Sequence, residues 1–198
     1  GLAQTWWPGR FEMLASFPGE PPLLVDCAHN VDSINLLLST LAEYHPGQPL
    51  TFIVGANRDK SIAPMLALLL AVSPRMVLVQ SRHPKALETQ SLRREVALVE
   101  ANRPPGAAPL QVVEATTMAA AVEMAGAMTP PGGLLVGTGS VFVVAELREA
   151  WLARHPDAFP AEDWVHEAAH EPSFQAVSTH QEISEQQNFA AAPASKPR

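Results

Sequence analysis

The stretch Pro22-Leu23-Leu24-Val25-Asp26-Cys27-Ala28-His29-Asn30 decides how this chain folds. A short apolar run ends in polar residues, and an amphipathic segment, residues 33–44, follows almost directly. This order predicts a buried strand, a loop and the start of a helix. In open α/β sheets, ligands bind outside the carboxyl ends of strands, and the free N–H groups at a helix start favour anions. We therefore expect the acid, the imidazole and the amide of this loop to face a ligand.

The same alternation of strand and helix continues along the chain. Strands are predicted at residues 11–14, 23–26, 50–55, 75–80, 110–113 and 134–137. Helices are predicted at residues 32–44, 62–72, 89–102, 118–128 and 141–154. Continuous apolar strands that are joined through helices are typical of a parallel sheet with both faces covered. The prediction is an α/β fold, with a Rossmann-like, mostly parallel sheet of about six strands and helices on both faces.

Three regions are predicted from the change in composition. Residues 1–9 are interpreted as the remnant of an inter-domain linker, and residues 10–154 as the folded domain. Residues 155–198 are polar, with little periodicity, and are predicted to form a largely disordered tail. Because the chain opens without an initiator methionine, we expect a fragment or an excised domain.

Composition and charge exclude several classes of protein. The formal net charge of the 198 residues is -7, which argues against a nucleic-acid-binding module. The single cysteine, Cys27, excludes an internal disulfide framework and fits a reducing compartment. The longest strongly apolar stretch, residues 65–72, is too short to span a bilayer, and no signal peptide is visible. We expect a cytoplasmic, monomeric protein that binds neither nucleic acid nor membranes.

Other polar clusters also follow predicted strands or flank them. Trp7-Pro8-Gly9-Arg10-Phe11-Glu12 presents an arginine at a Pro-Gly turn, and a guanidinium suits phosphate recognition. Three further clusters are Gly55-Ala56-Asn57-Arg58-Asp59-Lys60-Ser61, Ser81-Arg82-His83-Pro84-Lys85-Ala86 and Thr138-Gly139-Ser140. Because the carboxyl ends of parallel strands meet at one edge of a sheet, these clusters predict one shared site.

The loop after the first buried strand also has a purely structural interpretation. Asn30 could cap the following helix by accepting backbone N–H bonds, and Asp26 could be the polar end of a strand. Cys27 is either an inert small residue or a thiol whose pKa the helix start lowers.

These motifs, in this order, resemble one known module. Trp7-Pro8-Gly9-Arg10, Asp26-Cys27-Ala28-His29-Asn30, Gly55 with Asp59-Lys60, and Thr138-Gly139-Ser140 resemble the C-terminal domain of folylpolyglutamate synthase/dihydrofolate synthase. That enzyme is a branch of the Mur ligase family, and the resemblance runs from about Trp7 to Leu152. Two departures are Cys27, where the family usually has glycine, and Val31, where it often has proline. A Gly-x-x-x-x-Gly-Lys-[Ser/Thr] phosphate loop is absent from the sequence.

The resemblance implies an ATP-dependent ligase that adds L-glutamate to a folate or dihydropteroate carboxylate through an acyl phosphate. In such an enzyme this domain closes over ATP and Mg²⁺, which an N-terminal and central ATPase domain binds, so this chain alone should be inactive. The implied ATP contacts are Arg10, Asp26, Ala28, His29 and Asn30. Among them, Arg10 would contact phosphate or act as a clamp beside the hinge, and Asp26 would contact the ribose. His29 would be the catalytic residue and would lie against the nucleotide or the reacting phosphate. Ser140 would lie on the glutamate side, and no metal ligand is implied in this chain.

Two alternatives belong to other functional classes. The domain could be a stand-alone Rossmann-like module that binds nucleotide or phosphate without catalysis. His166-Glu167-Ala168-Ala169-His170 also matches the H-E-x-x-H pattern of zinc metalloproteases. Pro172 follows this motif so closely that a zinc-binding helix could hardly continue, which argues against the protease. The sequence does not separate dihydrofolate synthesis from polyglutamate extension.

Overall fold

Six strands and five helices alternate along the residues that the computed structural model describes, namely 7–14, 16–58 and 62–156. The strands are β1 (Glu12–Met13), β2 (Leu23–Val25), β3 (Leu50–Val54), β4 (Arg75–Leu78), β5 (Gln111–Glu114) and β6 (Leu134–Thr138). The helices are α1 (Val31–Tyr44), α2 (Ile62–Val72), α3 (Thr89–Ala101), α4 (Met118–Met128) and α5 (Val141–Arg154). Every strand and helix begins and ends within two residues of its predicted bounds.

The six strands form a single sheet in the order β1-β2-β6-β3-β4-β5. Strand β1 pairs antiparallel with β2, and every other neighbouring pair is parallel. The predicted Rossmann-like, mostly parallel sheet is therefore confirmed. Strand β6, the last in sequence, lies between β2 and β3, with Gly137 opposite Val25 and Thr138 opposite Val54. This insertion brings the loop after β6 beside the loop after β2.

Two apolar cores cover the two faces of the sheet, as predicted. Ile34, Leu66 and Leu92 bring α1, α2 and α3 into one core, while Val122 and Trp151 bring α4 and α5 into the other. Neighbouring strand residues alternate between the two cores because successive side chains of a strand point to opposite faces. Each large side chain that is fully buried in this way contributes about 1.5–3 kcal/mol by leaving water.

Several predicted features lie outside the described residues. They are Asp59, Lys60 and Ser61, the segment 157–198 predicted as a disordered tail, and the His166 to His170 motif. The proposed domain boundaries stay predictions. None of the helices in the described ranges combines the length and apolar character needed to cross a membrane.

Candidate functional site

Predicted site residues from three loops line one cavity of about 260 Å³. Arg10 comes from the turn before β1, His29 from the loop between β2 and α1, and Ser140 from the loop between β6 and α5. The full lining is Trp7, Pro8, Arg10, Cys27, His29, Asn57, Ser140 and Val141. A larger cavity of about 660 Å³ lies between α2 and α3, but mostly apolar side chains line it. We place the site at the smaller cavity because it lies at the carboxyl ends of the strands.

The turn that carries Arg10 is held in an unusual backbone conformation. Gly9 has φ 73° and Phe11 has φ 44°, a region that costs a residue with a side chain on the order of 1 kcal/mol. The Gly9 N–H donates to Glu12 Oε2 at 2.6 Å, and Glu12 in turn forms a 3.2 Å ion pair with Arg148. The turn is therefore fixed, and Arg10 is exposed at its tip.

Asp26 connects this turn to the loop after β2. Its Oδ2 accepts from the Phe11 N–H and its Oδ1 from the Ala28 N–H, each at 2.8 Å. The Cys27 N–H also donates to the Gly9 carbonyl at 2.9 Å. Sequence reasoning expected Asp26 to contact a ribose or to end a strand, and it missed this bridge between two loops, which no spacing rule reveals.

The ring of His29 has a defined tautomer in its neutral form. Its Nδ1 lies 2.9 Å from the Cys27 carbonyl. Because a carbonyl oxygen only accepts, Nδ1 carries the hydrogen and Nε2 keeps the lone pair. His29 is half-buried and lines the cavity, so it combines a fixed orientation with access to a ligand.

Asn30 is the N-cap of α1, so the structural interpretation of this residue is confirmed. Its Oδ1 accepts from the Ser33 N–H at 2.8 Å, and the Ser33 hydroxyl accepts from the Asn30 N–H, which completes a capping box. Asn30 is exposed but does not line the cavity. A direct contact between Asn30 and ATP stays a prediction.

Ala28 is buried, and its backbone groups bond within the domain. The N–H donates to Asp26, while the carbonyl accepts from the Gly139 N–H at 2.8 Å and from the Thr138 hydroxyl at 3.2 Å. These bonds join the loop after β2 to the loop after β6. The predicted ATP contact through Ala28 therefore gains no support from its surroundings.

Ser140 is the N-cap of α5 and is only 3% exposed. Its Oγ accepts from the Phe142 N–H at 3.3 Å, so the hydroxyl hydrogen remains for another acceptor. Gly139 has φ 104°, and a Cβ there would lie 2.2 Å from the Gly55 carbonyl oxygen. Only glycine fits at this position, and it places Ser140 against the cavity.

Cys27 is buried, and the hypothesis of a lowered thiol pKa is wrong. Burial raises the pKa of the Cys27 thiol, and the nearby Asp26 carboxylate raises it further. The charges of Arg10 and Arg148 act in the opposite direction but do not reverse the rise. Cys27 is therefore a protonated packing residue in the wall of the cavity.

Asn57 lines the cavity, and it belongs to one of the polar clusters predicted to share the site, but it was not named among the individual site residues. Its Oδ1 is buried and has no hydrogen-bond partner among the described residues. An unpaired buried polar atom is uncommon and points to a role with a ligand or water. Its position just after β3, at the carboxyl end of a strand, could have identified Asn57 as a site residue from the sequence. A second feature that was missed is the stack of His83 on Phe142, with ring centroids 3.7 Å apart.

Metal ligands are a separate question, because the resemblance implies Mg²⁺ near ATP. In the part of the chain that the structure describes, no three His, Cys, Asp or Glu side chains are grouped so that they could hold a metal ion. The described residues therefore do not form a metal site by themselves.

The fold and the cavity together define an α/β domain with a cation, an imidazole and a hydroxyl at the carboxyl ends of its strands. The sequence profile of the family described as "Mur ligase, glutamate ligase domain" matches residues 9–141. The chain belongs to this family, and the resemblance drawn from its motifs is confirmed.

The similar proteins are longer than this chain. A probable bifunctional folylpolyglutamate synthase/dihydropteroate synthase of Haloferax volcanii is 30% identical over 155 residues, which are 76% of this chain and 16% of the relative. Folylpolyglutamate synthase of Mycobacterium tuberculosis, complexed with ADP, has a TM-score of 0.64 and 24% identity over 74% of this chain and 33% of that chain. E. coli FolC in complex with DHPP and ADP has a TM-score of 0.61 and 21% identity, and it covers 77% of this chain and 33% of its own. The two solved structures establish the similarity of fold.

Proposed function

We propose that this chain is the glutamate-ligating domain of an ATP- and Mg²⁺-dependent enzyme that adds L-glutamate to a folate or dihydropteroate carboxylate. The observation that carries the proposal is the meeting of Arg10, His29 and Ser140 at one cavity. The names of its similar proteins support the substrates, since one is a probable folylpolyglutamate synthase and two solved structures contain ADP. We further propose a monomeric enzyme in the cytoplasm.

Arg10 binds the phosphate groups of ATP in this proposal. When bound, ATP supplies the phosphoryl group that converts the acceptor carboxylate into an acyl phosphate. The Arg10 guanidinium is exposed on a turn whose backbone is fixed, so binding of phosphate oxygens orders the side chain but not the backbone. Charge stabilisation of this kind is usually a large contribution to catalysis of group transfer.

His29 and Ser140 act on the amino-acid side of the reaction. The glutamate amine attacks the carbonyl carbon of the acyl phosphate, so that a C–N bond forms, the C–O bond to the phosphate breaks and inorganic phosphate leaves. The Nε2 lone pair of His29 accepts the proton that the amine loses. The Ser140 hydroxyl has its hydrogen free to donate to a glutamate carboxylate. Asn57 lies in the same wall and can add a polar contact to the substrate.

The other residues implied by the resemblance, Asp26, Ala28 and Asn30, hold the loops around the cavity in place. The polar groups of Asp26, Ala28 and Asn30 bond within the domain, so we propose that they shape the cavity more than they touch ATP. Because the described residues lack a metal ligand set, we propose that Mg²⁺ and most of ATP are held by a separate ATPase region of the enzyme.

The test measures incorporation of labelled L-glutamate by the full-length enzyme, with a folate and a dihydropteroate as alternative acceptors. Ser140→Ala should raise KM for glutamate by about 10- to 100-fold, the value of one hydrogen bond to a charged group, and leave KM for ATP unchanged. Ser39→Ala, an exposed serine on α1, is the matched control. If neither acceptor is glutamylated, the proposed substrates are wrong. If the 198-residue chain alone forms the amide, the proposed need for a separate ATPase region is wrong.

A further inference from the structure

Glu12 contacts both the turn that carries Arg10 and the helix that follows the cavity. Its Oε2 accepts from the Gly9 N–H at 2.6 Å and lies 3.2 Å from Nε of Arg148 on α5. One carboxylate oxygen therefore meets the backbone of the turn on one side and a guanidinium of the helix on the other. The N–H that it holds belongs to the residue directly before Arg10.

The Glu12–Arg148 pair is sheltered from water, unlike a second ion pair on α5. The side chains of Arg148 and Glu12 are 16% and 10% exposed. Those of Arg82 and Glu149, which also form an ion pair, are 73% and 55% exposed. Exposed ion pairs are weakened by the surrounding water and salt, whereas charges in a less polar environment interact more strongly. We therefore expect the sheltered pair, and not the exposed one, to constrain the backbone beside it.

One face of α5 connects this pair to the cavity. Ser140, Val144 and Arg148 are spaced four residues apart, and residues with this spacing lie along one face of a helix. Ser140 lines the cavity, while Val144 lies so close to Gly9 that a Cβ there would approach its Cγ1 to 2.9 Å. The helix face that presents Ser140 at the cavity therefore also contacts the turn that presents Arg10.

We infer that Glu12 and Arg148 are positioning residues: they hold the arginine turn against α5 and so set where Arg10 lies relative to Ser140. Neither side chain of the pair lines the cavity, so neither touches a ligand there. The kinetic part of this inference rests on the proposed function. The contact between the pair and the turn is a property of the domain itself.

Hydrogen exchange on the 198-residue chain tests this contact without any activity. Glu12→Ala removes the acceptor of the Gly9 N–H, so the Gly9 amide should exchange at least tenfold faster, while amides of β3 keep their protection. Arg148→Met should also speed the exchange of Gly9, because the Glu12 carboxylate loses the cation that orients it. Glu149→Gln, which breaks the exposed ion pair on the same helix, should leave the Gly9 amide unchanged. Unchanged protection of Gly9 in Glu12→Ala or Arg148→Met, or an equal rise in Glu149→Gln, would overturn the inference.

Kinetics of the full-length enzyme test whether the pair acts through Arg10. Glu12→Gln keeps an oxygen that can accept from the Gly9 N–H but removes the charge that pairs with Arg148, so it disturbs folding less than Glu12→Ala. It should lower kcat/KM for ATP by about 10- to 100-fold, because a misplacement of about 1 Å can cost a factor of about 100. Adding Glu12→Gln to Arg10→Ala should cause no further loss, since the group that the pair positions is already gone.

Two kinetic results would contradict the positioning role. One is wild-type kcat/KM for ATP in Glu12→Gln, and the other is a loss that adds fully to that of Arg10→Ala, as a purely structural defect would. If the wild-type enzyme does not use ATP, the proposed function fails, and the exchange rate of the Gly9 amide still decides whether the pair holds the turn.

Discussion

The N–H of Cys27 donates a 2.9 Å hydrogen bond to the carbonyl of Gly9, and this bond joins the arginine turn to the loop after β2. It brings together two stretches that are separated by a hairpin in sequence. The packing there is tight: a Cβ on Gly9 would lie 2.9 Å from Val144 Cγ1 and 3.0 Å from Cys27 Sγ. The position of Arg10 therefore depends on the absence of a side chain at the preceding residue.

Gly9→Ala should destabilise the domain by about 2 kcal/mol or more, because it adds a steric clash to the cost of a positive φ. The matched control is Gly106→Ala, since Gly106 has φ 83° and a Cβ there would meet nothing within 4 Å. Urea unfolding of both variants measures the difference. Equal losses of stability would show that the contacts around Gly9 are not tight.

Removing the cap of α1 gives a second prediction. Asn30→Ala should lower the free energy of unfolding by about 1 kcal/mol, whereas Asn30→Ser should keep most of it, because serine also caps helices well. Thermal or urea unfolding checks this. Full stability of Asn30→Ala would mean that the capping box contributes nothing, and loss of ATP use in a stable Asn30→Ser variant would restore a direct role for Asn30.

The thiol of Cys27 should react slowly with alkylating reagents. Because burial raises its pKa, the thiolate is scarce at pH 8, and the buried sulfur is poorly accessible. The rate of reaction with iodoacetamide should increase by at least tenfold when guanidinium unfolds the chain. A rate in the folded protein equal to that of a free cysteine would contradict the assignment of Cys27 as a packing residue.

Glu20 should make part of the stability of the domain depend on pH. A hydrogen bond and the charge of Arg154 lower the pKa of Glu20 below its usual value, and His155 adds to the effect. A lowered carboxyl pKa contributes stability that is present above the ordinary glutamate pKa, about 4.3, and is lost as the pH falls through the folded-state value. Glu20→Gln should therefore be less stable than wild type at pH 6, by a difference that becomes smaller at pH 3. A difference that is the same at both pH values would contradict this.

Much of the fold could be predicted from the sequence, because apolar runs and Pro-Gly joints locate the strands and helices. The order of the strands could not be predicted, because the residues of the segment 134–138 do not indicate that β6 pairs with both β2 and β3. That insertion is what places Ser140 beside His29.

The site was predicted in outline from polar residues at strand ends. Arg10, His29 and Ser140 do line one cavity. The bonds of Asp26 and the raised pKa of Cys27 depend on which backbone groups and apolar atoms surround them in three dimensions. Patterns of residue type carry no information about neighbours in space, so the bonds of Asp26 and the pKa of Cys27 could be found only from the structure.

The most direct test of the account is the rate of glutamate-dependent ADP formation by the full-length enzyme. Arg10→Ala should lower kcat/KM by about 100-fold or more, and His29→Ala by a similar factor, with both variants still folded. Arg94→Ala, which removes an exposed arginine on α3, should stay within about twofold of wild type, as surface changes away from a site usually do. Wild-type turnover in both Arg10→Ala and His29→Ala would contradict the assignment of this cavity as the site of ligation.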